Sequence, residues 1–359
     1  MPLQIVVVGA GILGLTTALT LSEKVTDEHE IYVVAEYGPH DPKLNTTMSN
    51  FHEYTSPWAG AHFRPFPSAN DQDKKEMKMT RDTLQYFAEV AARDPESSIR
   101  FVDGLEYLQD ANDLYKKVGY GYSDGMNNFT RNNDLEGFVG FKYDTWVVNT
   151  IVYLGYIYRK LLFQQNVKFI HKKLDNLKQV IGMFKSPIII NCTGTGLQYD
   201  GGYDPQCYPI RGQTLLIKPP RSFKLDKTVT HQLRDGSWIF IIPRPLHGGV
   251  ILGGTKQKND SYTGVREEDT RHLIQLGNKY FPDLKKTNVI TGESYFDVER
   301  VNVGLRPARV GGLNTSIEYH EGHPVINNYG AGGMGYELSY GASLQVYQNL
   351  VSVLNKSKL

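Results

Sequence analysis

The chain has 359 residues, enough for about two domains with a large buried core. Its 39 basic and 38 acidic residues nearly cancel, which argues against a nucleic-acid or anionic-membrane partner. With 40% apolar and 21% charged residues the composition is that of a folded soluble protein, not a disordered one. The opening MPLQIVVVGAG lacks the basic and long apolar regions of a signal peptide, and no stretch reaches the roughly 20 apolar residues that span a bilayer. Cys192 and Cys207 form no CxxC or Cys/His cluster and are expected to be reduced thiols.

In chain order, the continuous apolar run at 5–8 reads as a central parallel strand and is followed by a glycine-rich turn. Helical spacing then continues to about residue 24, and a second strand over 31–35 completes a β-α-β unit. Residues 39–67 read as a long loop, which in a compact protein is more often functional than idle. A helix is expected over 74–92, irregular chain with short strands over 101–143, and a second helix over 144–165. The run 188–190 reads as a buried strand, strands dominate 208–254, and 267–280 is helical. Strands return at 301–310, and the glycine-rich turn 329–335 leads into a last helix to about 354. The expected fold class is α/β: a Rossmann-like nucleotide-binding domain from segments 1–60, 143–208 and 300–354, interleaved with a sheet-rich domain from 61–142 and 209–299.

Gly9-Ala10-Gly11-Ile12-Leu13-Gly14 lies between that first strand and helix, the context that makes a GxGxxG motif credible. Gly9 allows the tight turn, Gly11 lets the backbone approach a pyrophosphate, and Gly14 permits close packing of helix on sheet. Glu36, 22 residues beyond Gly14 at the end of the second strand, is placed to bind ribose hydroxyls. The pattern alone does not separate FAD from NAD. Its place at the very start of a two-domain chain favours FAD, and a nicotinamide-dependent dehydrogenase is the rival reading.

Several collinear stretches then match one family. VVVGAGILGL, SPWAGAHFRPF, YDTWVVNTIVYL, NCTG, PIRGQTLLIK, FIIPRP, GGT, VGLRPAR and VINNYGAGGMGYELSYGAS together resemble the D-amino-acid oxidases and their sister D-aspartate oxidases, the yeast members above all. The resemblance implies an FAD domain plus a domain of curved sheet that carries the substrate and often a homodimer contact. It also implies hydride transfer from the substrate α-carbon to flavin N5 and reoxidation by O2, giving a 2-oxo acid, ammonia and hydrogen peroxide. The cofactor carries the hard chemistry, so a missing acid–base residue is no objection. Cofactor contacts are implied at Thr55, Ser56 and Gly60, at Leu174, and at Cys192, Thr193 and Gly194. The later turn adds Gly330, Gly332, Gly333, Met334, Gly335 and Tyr336, where backbone donors would stabilise charge on the reduced flavin.

The same resemblance puts the carboxylate-binding arginine on Arg309, beside the cofactor, with Arg306 left to pair elsewhere. A guanidinium fork holds a carboxylate with two parallel charge-assisted bonds. Phe240 stands where the family has a carboxylate-binding tyrosine, so Trp238 or Tyr336 becomes the candidate donor, and a flavoprotein whose pocket has lost activity is a further alternative. An acidic substrate needs a second cation, since a carboxylate in a closed pocket is costly unless paired. Arg234, Lys256 and Arg64 are the candidates, which points to acidic over neutral D-amino acids. The final Ser357-Lys358-Leu359 reads as a peroxisomal address recognised by the import receptor, in keeping with peroxide as a product.

Overall fold

The computed structural model describes residues 3–26, 29–40 and 54–356. The chain begins β1 (Leu3–Val8), α1 (Ile12–Lys24), β2 (His29–Ala35), α2 (Asp71–Arg93), β3 (Arg100–Leu108), α3 (Asp113–Lys116) and β4 (Thr130–Asn132). It continues β5 (Val139–Val147), α4 (Thr150–Phe163), β6 (Lys168–His171), α5 (Lys178–Met183), β7 (Ile188–Asn191), β8 (Cys207–Ile217), β9 (Lys227–Gln232) and β10 (Trp238–Pro243). It closes with β11 (Val250–Gly253), β12 (Gln257–Lys258), α6 (Glu267–Tyr280), β13 (Lys286–Thr287), β14 (Ser294–Tyr295), β15 (Val298–Arg309), β16 (Ile317–His320), β17 (His323–Asn327) and α7 (Gly335–Lys356).

One sheet has the order β16-β17-β7-β1-β2-β6, parallel except for the β16–β17 hairpin. Its centre is apolar because β1 and β7 are covered on both faces: Ile5, Val6, Val7, Ile189 and Ile190 are all fully buried. The chain leaves β1 toward β2 on one side and returns as β7 on the other. This switch of direction opens a crevice at the carboxyl end of β1, the usual ligand position in such sheets. Helix α1 lies against α7, with Thr20 Oγ1 and Ser343 Oγ 2.7 Å apart in the buried seam.

The second sheet runs β8-β11-β10-β9-β3-β5-β4, with β12 and the long β15 also on β8. Strands β3 and β5 each run nine residues, where short strands were expected in irregular chain. The expected helix at 144 begins at Thr150 instead, because YDTWV completes β5. Tyr143 and Trp146 are buried there, and β-branched and aromatic residues suit a pleated surface better than a helix. β15 belongs to this larger sheet, so the domain boundary placed at 300 falls inside a strand and moves to its end. Both cysteines are free thiols, and no described helix is long and apolar enough to cross a membrane. The Ser357-Lys358-Leu359 tail lies outside the described residues.

Candidate active site

A cavity of about 1030 Å³ runs from the carboxyl end of β1 to residues of the large sheet. That exceeds the roughly 300–1,000 Å³ of ordinary small-molecule sites and leaves room for a dinucleotide together with a small substrate. At its nucleotide end Gly9 and Gly14 act as their spacing predicts. Gly9 has φ +104°, and a Cβ there would sit 2.5 Å from the Cys192 carbonyl oxygen. A Cβ on Gly14 would lie 1.9 Å from the Gly9 carbonyl oxygen, so only hydrogen lets α1 pack so close to its own turn. Ser56 Oγ accepts from the Ile12 amide at 3.0 Å and so fixes the 54–60 segment to the start of α1. Ala10, Gly11, Ile12, Leu13, Thr55, Gly60, Leu174, Thr193 and Gly194 line the cavity with them, and Glu36 faces it beside Lys173 Nζ at 3.4 Å.

Gly14→Ala is expected to give protein that emerges colourless from gel filtration, because the new methyl must push backbone apart. Gly11→Ala meets only the Ser56 hydroxyl among protein atoms, at 3.2 Å, so it is expected to fold, yet to hold the cofactor more weakly because the methyl stands where the backbone would approach the pyrophosphate. Flavin absorbance per mole of protein checks both.

The turn before α7 forms the opposite wall. Gly330 (φ +86°) and Gly332 (φ +57°) take the left-handed conformation, and Gly333, Met334, Gly335 and Tyr336 line the cavity. The first amides of α7 have no partner within the helix and point out of its N-terminus, a natural place for developing negative charge. Behind the 56–60 segment, buried Arg244 donates to the Pro57 and Ala59 carbonyls at 3.0 and 2.6 Å, which holds that wall in place. Glycine cradle, ribose carboxylate and helix N-terminus fit a flavin dinucleotide.

In the substrate half the two arginines of β15 lie in the opposite settings to those expected of them. Arg309 Nε donates to Asp204 at 2.8 Å and its Nη1 to the Val310 carbonyl, so its fork is already engaged. Arg306, three residues earlier on the other face of the strand, packs over Gly212, where any Cβ would strike the guanidinium. Its Nη1 donates to the Thr255 carbonyl at 3.2 Å, and among the described residues no carboxylate pairs with it. Burial pushes it down to about 10, still cationic at neutral pH. An uncompensated cation in a cavity wall is a site for an anion.

Of the three candidates for a second cation, two face the cavity. Arg64 and Lys256 lie on the Trp238 ring, 4.8 and 5.2 Å from its centroid. Arg64 is neutralised by Glu106 at 2.7 Å, itself fully buried and also bonded by Gln232 and Tyr122. Lys256 is exposed because the cavity beside it is open, yet its ammonium is crowded. Burial first, then Arg64 and Arg306, push it below its ordinary value, and no described carboxylate pairs with it. Arg234 is corrected: it sits at the exposed tip of the β9–β10 hairpin, outside the cavity lining, because residues 233–237 form the tight turn of that hairpin. Tyr336 is corrected as a donor, since its hydroxyl donates to the Ser56 carbonyl at 2.9 Å. Phe240 lies on the wall opposite Gly253 and supplies only apolar surface.

Sequence reasoning missed Glu106 and Glu337. Glu106 alternates with buried Leu108 and Gly104 on one face of β3, a signal that was there to be used. Glu337 follows the glycine turn by two residues, and nothing in the sequence marks it as facing the cavity.

A family model described as FAD dependent oxidoreductase, DAO, matches residues 4–347. The chain is 35% identical to a D-aspartate oxidase of Talaromyces thermophilus, covering 100% of this chain and 97% of that one. It is 34% identical to a D-amino-acid oxidase of Schizosaccharomyces pombe, covering 100% and 98%. Among solved structures it resembles the L-proline dehydrogenase of P. horikoshii (TM-score 0.69, 13% identity, 98% and 94% covered). It also resembles the glycine oxidase of Bacillus cereus (TM-score 0.64, 14% identity, 98% and 95% covered), a likeness of fold. With nearly the whole chain matched and a cavity built for the dinucleotide, this protein belongs to the DAO family of FAD-dependent oxidoreductases.

Proposed function

We propose that this FAD-dependent oxidase deaminates acidic D-amino acids, D-aspartate foremost. The observation that carries the reading is the pair of cations, Arg306 and Lys256, that face one cavity with no described carboxylate to balance either. A dicarboxylate substrate supplies the two missing charges. Arg306 takes the α-carboxylate in its fork and Lys256 takes the side-chain carboxylate. Phe240 and Trp238 form the apolar walls that strip water from the α-carbon, which strengthens both ion pairs. Bound FAD supplies the hydride acceptor and its reoxidation by O2 yields peroxide. The relative named as a D-aspartate oxidase supports this substrate class.

Oxidation of neutral D-amino acids is the second reading. It draws on the Schizosaccharomyces pombe relative and on Arg234, which stands outside the cavity and cannot read a side chain. A panel of D-aspartate, D-glutamate, D-alanine and D-proline, read as peroxide released, separates the two. Acidic substrates are expected to lead the panel, and a lead by D-alanine would reverse the assignment. We also propose delivery to the peroxisome through Ser357-Lys358-Leu359, which suits an enzyme that makes peroxide. A fluorescent fusion with the tail intact should be punctate and one lacking it diffuse.

A further inference from the structure

Glu337 stands in the first turn of α7, and it lines the cavity together with the glycine turn, Arg64 and Trp238. Oε1 accepts from the Arg64 amide at 2.7 Å, and among the described residues this is its one hydrogen bond. The other carboxylates of the cavity wall are occupied. Asp204 is held by Arg309 and Tyr329, Asp73 by Ala69 and Asn70, and Glu76 by Gln72 and Leu313. Glu36 stands at the nucleotide end beside Lys173, and Glu106 is sealed behind Arg64.

The chemistry leaves a proton to be placed. A D-amino acid arrives as an ammonium, whose nitrogen has no lone pair to form C=N as hydride leaves the α-carbon. Resting on the reading above, we propose that Glu337 Oε2 accepts this ammonium proton before hydride transfer. The N–H bond breaks and an O–H bond forms on Glu337, which leaves a lone pair on nitrogen. That pair becomes the C=N bond as the α-hydrogen departs with its electrons to the flavin, and the carboxyl proton is lost to solvent after the imino acid leaves.

Burial pushes the Glu337 carboxyl up to about 7, while the Arg64 amide, Arg64 and Arg81 oppose the shift and Glu106 adds to it. A base poised near working pH is the efficient choice for such a transfer. Tyr143 also faces the carboxyl but burial holds it far above the physiological range, so it stays neutral. His62 lines the cavity too, yet burial and then Arg64 push its imidazole down to about 3, leaving it a very weak base.

The test uses the holoenzyme and its Glu337→Gln variant, which keeps an acceptor for the Arg64 amide. Anaerobic flavin reduction by D-aspartate and by D-alanine is followed from pH 5.5 to 10. In the wild type the rate should rise through about pH 7, as the carboxyl ionises. The variant should reduce about a hundredfold more slowly at pH 7 and recover as the free amine appears at high pH. An infrared difference spectrum should show a protonated carboxyl forming in the wild type on reduction, and none in the variant. A variant with the wild-type pH profile overturns the proposal. So does a bound-flavin spectrum that itself titrates near pH 7 in wild type only, which would place the carboxyl on the flavin instead. If the variant does not hold FAD, Glu337→Asp serves, and a profile unmoved by that change counts against the proposal. A wild type bleached by no D-amino acid would instead sink the substrate reading.

Discussion

Replacing Arg306 by methionine is expected to cut kcat/KM about 10²–10⁴-fold for every substrate, acidic or neutral. Each charge-assisted bond to a carboxylate is worth about 1.5–3 kcal/mol, and a fork makes two of them. Methionine preserves much of the volume over Gly212, so the protein should fold and stay yellow. Arg309→Met is the matched control. Its guanidinium serves Asp204 and the Val310 carbonyl, so the variant should lose less than about tenfold in kcat/KM. Steady-state kinetics on both variants decide which arginine holds the substrate, and equal losses would mean that neither does so alone.

Lys256→Met is expected to discriminate among substrates. It removes the one cation on the Trp238 wall that no described carboxylate balances. D-Aspartate should lose about 10–100-fold in kcat/KM, corresponding to one charge-assisted contact. D-Alanine, with no side-chain carboxylate to hold, should stay within about threefold. Arg234→Met, at the exposed hairpin tip, should change neither. A parallel fall for D-aspartate and D-alanine would show that Lys256 acts on the fold or the flavin and not on the side chain.

The fold and the nucleotide end were legible in the sequence for a local reason. Gly9, Gly11, Gly14 and Glu36 act within one β-α-β unit, where spacing along the chain is nearly spacing in space. The helix at 267–280 was legible to the residue from its amphipathic period. Strand β5 was less so, because the preference of aromatic residues in YDTWV for a strand is weak until the partner strand β3 supplies the sheet they pack into.

The substrate half depends on pairing across the sheets, and there the sequence ran out. Arg306 and Arg309 differ only by which face of β15 each takes. The decision lies with Asp204, about a hundred residues away, which claims Arg309. Arg234 and Lys256 looked alike in sequence, yet one caps a hairpin and the other turns into the cavity. Arg64 looked like a free cation until Glu106 of β3 neutralised it.

Anaerobic addition of D-aspartate to the yellow holoenzyme separates the substrate readings most sharply. Bleaching of the flavin band by D-aspartate at concentrations where D-alanine leaves it largely oxidised is the predicted result. Bleaching by D-alanine in preference to D-aspartate, or by neither, would contradict it.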